Sequence, residues 1–77
     1  MAVEMVPVSS SQLQSIGWDK ETGKAYVRFI DKRGGAGALY RYDDVPESVV
    51  TDIINAPSAG QQFNATLKFG FSYERIE

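Results

Sequence analysis

Among its 77 residues the chain has no cysteine and no histidine. The first absence removes disulfides and the second removes imidazole. Together they exclude most zinc sites and every Cys-His or Ser-His-Asp nucleophilic arrangement. Long apolar runs are missing too, none approaching the roughly 18 residues of a membrane span. The segment before Pro7 carries Glu4 and no basic residue, unlike a secretory signal. The expectation is a cytoplasmic protein that works without metal, cofactor or membrane. An excess of positive charge is also lacking: eight Lys and Arg face ten Asp and Glu, for a net charge of −2. Long duplex DNA needs a basic face, because each neutralised phosphate releases counterions. That partner is not expected, whereas a local pocket for a few phosphates is within the chain's means.

Seventy-seven residues make one domain. A domain of that size buries only about 60–65 % of its unfolded surface, so it needs additional stabilisation. With disulfides and most metals excluded, self-association is what is left, and a homo-oligomer is expected.

Read in order, residues 1–7 form a flexible arm closed by Pro7, and residues 8–77 form the single domain. Ile16 and Trp18 show the period of a strand, and the serines before them suit an irregular, capping segment. Asp19 to Gly23 is a turn with Gly23 free to take positive φ. Lys24 to Asp31 alternates: Ala25, Val27 and Phe29 on one face, Lys24, Tyr26 and Arg28 on the other. Residues 32–37 are a glycine-rich loop, and Ala38 to Tyr42 is a strand placing Tyr40 and Tyr42 together. Pro46 suits the first position of a helix, with Asp43, Asp44 and Glu47 at the positive end of its dipole. Val45, Val49 and Ile53, with Val50 and Ile54 beside them, make its apolar stripe. Ser58 and Gln61 have capping-box spacing for a second helix, whose inner face takes Phe63 and Leu67. Phe69 to Ile76 reads as a last extended segment. The expected fold is α+β: a small antiparallel β-meander of three to four strands with one or two short C-terminal helices packed on it.

The ordered set Val8-Ser9-Ser10, Ile16-Gly17-Trp18-Asp19, Val27-x-Phe29, Tyr40-x-Tyr42, Val45-Pro46, Ala56-x-Ser58-x-Gly60 and Phe63-Asn64 resembles the KTSC domain family. The resemblance covers residues 8–74, with Trp18 standing where the family more often has tyrosine. This family takes its name from the C-terminal extension of some lysyl-tRNA synthetases and also occurs as small free-standing bacterial and phage proteins. What the resemblance implies is RNA binding, in a bacterial cell.

Candidate ligand contacts fall into three groups. Trp18, Tyr26, Tyr40 and Tyr42, with Phe63 and Tyr73, could stack bases, or serve as the core of a tiny domain. Lys24, Arg28 and Arg41 share the polar face of the hairpin, where with Tyr26 they could hold a phosphate and its base. Ser58 and Gly60 sit at a turn suited to an anion, and Asn64 could read a base edge or bond internally. Lys32-Arg33-Gly34-Gly35 could cradle phosphate, although a plain loop is the simpler reading. The adjacent Asp43 and Asp44 read as a helix cap rather than a catalytic pair.

With no acid–base pair or nucleophile, the chain reads as a small binding module and not an enzyme. A compact nucleotide is the favoured ligand, for instance a cyclic oligonucleotide messenger sequestered without cleavage, as a phage anti-defence sponge would do. Short single-stranded RNA or tRNA is the alternative, and a protein–protein adaptor acting on a host enzyme is the third.

Overall fold

The computed structural model of the chain describes residues 3–77. A single five-stranded antiparallel sheet runs in the order β1-β2-β3-β4-β5, with strands β1 (Val6–Pro7), β2 (Leu13–Asp19), β3 (Lys24–Ile30), β4 (Ala36–Tyr42) and β5 (Tyr73–Arg75). Between β4 and β5 come helices α1 (Glu47–Asn55), α2 (Ala59–Ala65) and the single turn α3 (Leu67–Gly70). The α+β class and the meander are as expected. The count of three to four strands is corrected to five: β1 is too short to announce itself by periodicity, and the extended segment expected over Phe69 to Ile76 contributes only Tyr73–Arg75 as a strand.

One added strand comes from the arm. Val6 and Pro7 pair with Ile16 and Ser15 of β2, so this part of residues 1–7 belongs to the sheet. Residues 3–5 then lie against Gly17. A Cβ there would stand 2.6 Å from the Glu4 carbonyl, 2.7 Å from Val3 Cγ1 and 2.9 Å from Met5 Sδ. Only glycine permits that approach of backbone to strand. Residues 1 and 2 of the expected arm lie outside the described residues.

The central hairpins follow from alternation. Gly23 takes φ 72° at the β2–β3 turn, and its N–H donates to the Asp19 carbonyl at 2.8 Å. In β3, Ala25 and Val27 are fully buried, and Phe29 packs on the same core. Opposite residues of antiparallel strands share a face. The pairs Ile16–Val27, Val27–Tyr40 and Ala25–Tyr42 therefore define an inner face, while Tyr26–Arg41 and Gly17–Tyr26 define an outer one.

Helix α1 buries Val50 and Ile53, joined in the core by Val45 from the preceding loop. Pro46 stands one residue before the expected place, at the N-cap with ψ 147°, and no side chain caps the helix. Asp43 and Asp44 thus do not cap it: Asp44 adopts φ 56° in the turn, and Asp43 is engaged by the sheet. Helix α2 is capped as its sequence indicates, Ser58 Oγ accepting from the Gln61 N–H at 3.3 Å. It buries Ala59 and Phe63. At Thr66 the helical run breaks: its N–H is shared between the Gln62 and Phe63 carbonyls, and its hydroxyl donates back to Gln62. The chain restarts as α3, which puts Phe69 and Gly70 in a helical turn rather than in the extended segment expected there. Phe71 follows as the α3 cap, and β5 begins at Tyr73. Among the described residues no helix is long and apolar enough to cross a membrane.

Candidate functional site

The two faces of the sheet separate residues that the sequence alone could not separate. On the outer face Lys24, Tyr26 and Arg28 of β3 lie beside Arg41 of β4. Every cation in that set has a carboxylate partner. Lys24 Nζ stands 3.0 Å from Asp43 Oδ1, and Arg41 Nε donates to the same oxygen at 3.2 Å. A second contact from Arg41 reaches Glu74 at 2.7 Å, and Arg28 reaches Glu77 at 2.6 Å. Arg28 also donates to the Gly37 carbonyl. The hydrogen bond from Lys24 holds the Asp43 carboxyl below its ordinary range, against the opposing effect of desolvation, and the charges of Lys24 and Arg41 add to it. An incoming phosphate here would meet four carboxylate-paired contacts rather than open cations.

The glycine-rich loop is likewise occupied by its own chain. Asp31 Oδ1 accepts from the backbone N–H groups of Arg33 and Gly35, each at 2.8 Å. Those are the groups a phosphate cradle would have used.

The inner face is different. Helices α1 and α2 cover its β2–β3 side, and on the β4–β5 side an open groove of about 610 Å³ remains. Phe29, Tyr40 and Tyr42 form its floor, and Tyr73 of β5 forms one edge. Phe63 of α2 closes the back, while Phe69 and Phe71 stand where the chain returns to the sheet. These are seven of the chain's nine aromatic residues. Their rings are ordered by mutual contact: Phe29 meets Tyr40 edge-on at 5.4 Å, Tyr40 stacks near Tyr42 at 6.5 Å, and Tyr73 lies 5.6–5.7 Å from both. Tyr42 is buried, and its phenol is pushed up to about 12, first by that burial and then by Tyr40 and Tyr73. Phe69 is 83 % exposed and Tyr73 59 %. The lining also includes Gln12, Ala38 and Lys68, and no carboxylate.

Of the ligand contacts singled out in the sequence, Tyr40, Tyr42, Phe63 and Tyr73 line this groove and the others do not. Lys24, Tyr26, Arg28 and Arg41 lie on the opposite face. Trp18, half-buried, donates its indole N–H to the Val45 carbonyl at 2.7 Å. Ser58 caps α2, and buried Gly60 faces Ser10 Oγ, which would be 3.0 Å from a Cβ. Asn64 on α2 has a buried Oδ1 without a hydrogen-bond partner among the described residues. Phe69, Phe71 and Lys68 were not singled out as ligand contacts. The alternating run Phe69-x-Phe71-x-Tyr73, next to Lys68, was the available signal, dense in rings yet short of the apolar length a core strand needs.

Comparison with known proteins agrees with this architecture. The model of the KTSC domain matches residues 9–71. The chain is 39% identical over 76 residues to an uncharacterized protein of Stutzerimonas stutzeri strain A1501, covering 97% of this chain and 100% of that one. It is 30% identical over 76 residues to the lysine–tRNA ligase of Nostoc punctiforme, covering 99% of this chain but 13% of the ligase. The crystal structure of a KTSC domain protein from Yersinia pestis superposes with a TM-score of 0.84 at 32% identity, covering 99% of this chain and 100% of the other.

Proposed function

This chain belongs to the KTSC domain family, and from that premise we propose that it is a non-catalytic binding module whose aromatic groove stacks unpaired bases of RNA. One observation carries the reading: seven rings converge on a single open groove. An exposed ring offers a π-face to any base, and base–aromatic stacking contributes about 1–3 kcal/mol per base. Aromatic side chains presented on an antiparallel sheet are a recurrent way of holding single-stranded RNA. Similarity to part of a lysine–tRNA ligase supports an RNA ligand over an unrelated one. The acidic balance of the chain fits a contact of one or two nucleotides better than a long track.

A free compact nucleotide, such as a cyclic oligonucleotide that the chain sequesters, is the second reading. The groove's volume favours it, since about 610 Å³ lies within the usual range of small-ligand sites.

Fluorescence polarisation of a 3′-labelled decaadenylate tests the first reading. Saturable binding is expected, weakened roughly 5- to 150-fold by Tyr73→Ala and similarly by Phe69→Ala. Both rings are exposed, so circular dichroism should show intact folds. Binding indifferent to both substitutions would sink the groove as the site. Competition by a cyclic dinucleotide at far lower concentration than by the decamer would favour the second reading.

A further inference from the structure

Among the described residues, Lys20, Lys32, Arg33, Lys68 and Arg75 have no side-chain carboxylate partner; of these Lys68 lines the aromatic groove and Arg75 stands on the same face of the sheet, beside it. We propose that Lys68 and Arg75 are the phosphate-contacting pair of the groove, so that its ligand is a nucleotide segment held by two phosphates. The proposal rests on the reading of the groove as a base-stacking site.

Arg75 enters through the register of the sheet. It stands directly opposite Tyr40 in the β4–β5 ladder, and Tyr73 stands opposite Tyr42. Cross-strand partners share a face, so the Arg75 side chain belongs to the same face as the three tyrosines. Its Nε donates to the Glu77 carbonyl at 2.9 Å. No Asp or Glu side chain lies within ion-pair distance of the guanidinium among the described residues. Lys68 comes from the other wall, in the single turn α3, with its Nζ 5.4 Å from the Phe69 ring centroid. It too has no carboxylate partner among the described residues.

The contrast with the outer face gives these placements meaning. Lys24, Arg28 and Arg41 are each held by Asp43, Glu74 or Glu77. A phosphate arriving there must displace a carboxylate and remain beside it. At the groove no Asp or Glu side chain has to be displaced, and none lines it although acids outnumber bases in the chain. An arginine presents a planar fork to phosphate and a lysine a mobile point charge. With one on each wall, the strand is gripped on both sides of the stacked bases.

The salt dependence of decaadenylate binding, read by polarisation between 50 and 300 mM NaCl, tests this. Two phosphate contacts on a single strand predict a slope of log K against log salt near −1.4, at about −0.7 per contact. Lys68→Met and Arg75→Met should each reduce its magnitude by about 0.7, and the double variant should leave almost none. Lys20→Met, an exposed charge change on the β2–β3 turn, should leave the slope alone. A slope unmoved by either groove variant, or lowered by Arg28→Met instead, overturns the assignment. If Tyr73→Ala still weakens binding in that case, the stacking site itself stands. Absence of any binding by the parent chain overturns both.

Discussion

Trp18 and Val45 are joined by a 2.7 Å hydrogen bond from the indole Nε1 to the backbone carbonyl. The bond ties β2 to the residue before Pro46, where the chain leaves the sheet for α1. Trp18→Phe keeps most of the ring's packing and leaves that carbonyl without its donor. A loss of about 1 kcal/mol in stability is expected, read by urea unfolding. Affinity for decaadenylate should be unchanged, because Trp18 does not line the groove. A large loss of affinity in a folded variant would return Trp18 to the binding site.

Gly17 predicts a coupling between two segments. An added methyl would meet Glu4, Val3 and Met5 at 2.6 to 2.9 Å, so Gly17→Ala should push residues 3–5 away from β2. Faster amide hydrogen exchange over residues 3–7 and a lower Tm are the expected outcomes. In a chain shortened to begin at Val6 the same substitution should cost far less, since the clashing atoms are gone. Equal costs in the two backgrounds would show that the arm is not what Gly17 accommodates.

Asp43 gives a pH dependence with a definite sign. The hydrogen bond from Lys24 leads the causes that lower its folded-state pKa. The unfolded chain therefore binds the proton more tightly, and stability falls with acid. The contribution is fully present above the ordinary carboxylate value of 3.8 and is lost as pH drops through the lower folded value. Asp43→Asn should lower Tm at pH 7, and the gap from the parent should close in melts taken progressively below pH 3.8. A gap of constant size down to pH 2 would contradict this.

Tyr42 gives the opposite limb. Burial raises its phenol to about 12, so the folded state holds the proton longer than the unfolded one. Its contribution is complete below the ordinary value of 10.0 and is lost as pH rises through about 12. An absorbance titration at tyrosinate wavelengths should show a late step near that pH, absent in Tyr42→Phe. Alkaline unfolding of the variant should begin at higher pH than that of the parent.

The parts of the fold legible in the sequence were those governed by local period. The alternation of residues 24–31 and the Tyr40-x-Tyr42 pair gave β3, β4 and the shared face of the tyrosines. The stripe through Val45, Val49 and Ile53, with Val50 and Ile54 beside it, marked α1, and Ser58 with Gln61 marked the start of α2. Edge strands were harder. Two residues ending in Pro7 carry no period, and β5 exists because residues 73–75 meet β4 after three intervening helices. The site was least legible for the same reason. Lys24, Arg28 and Arg41 looked available because Asp43, Glu74 and Glu77, two of them more than thirty residues away from their partners, become neighbours only in the folded sheet. Lys68, Phe69 and Phe71 were hidden by the break at Thr66, which turns what reads as a continuous helix followed by an extended tail into a second helical turn.

The groove is assembled from opposite stretches of the chain: a floor from residues 29–42, and walls from residues 63–73. Its outer wall is carried by the short exposed strand β5, which without help would be among the first segments to open. A base stacked across Tyr40 and Tyr73 would act as a fastener for that strand. The occupied protein should thus hold its last ten residues closed against exchange and digestion, and recognition of the ligand and retention of the tail become a single event.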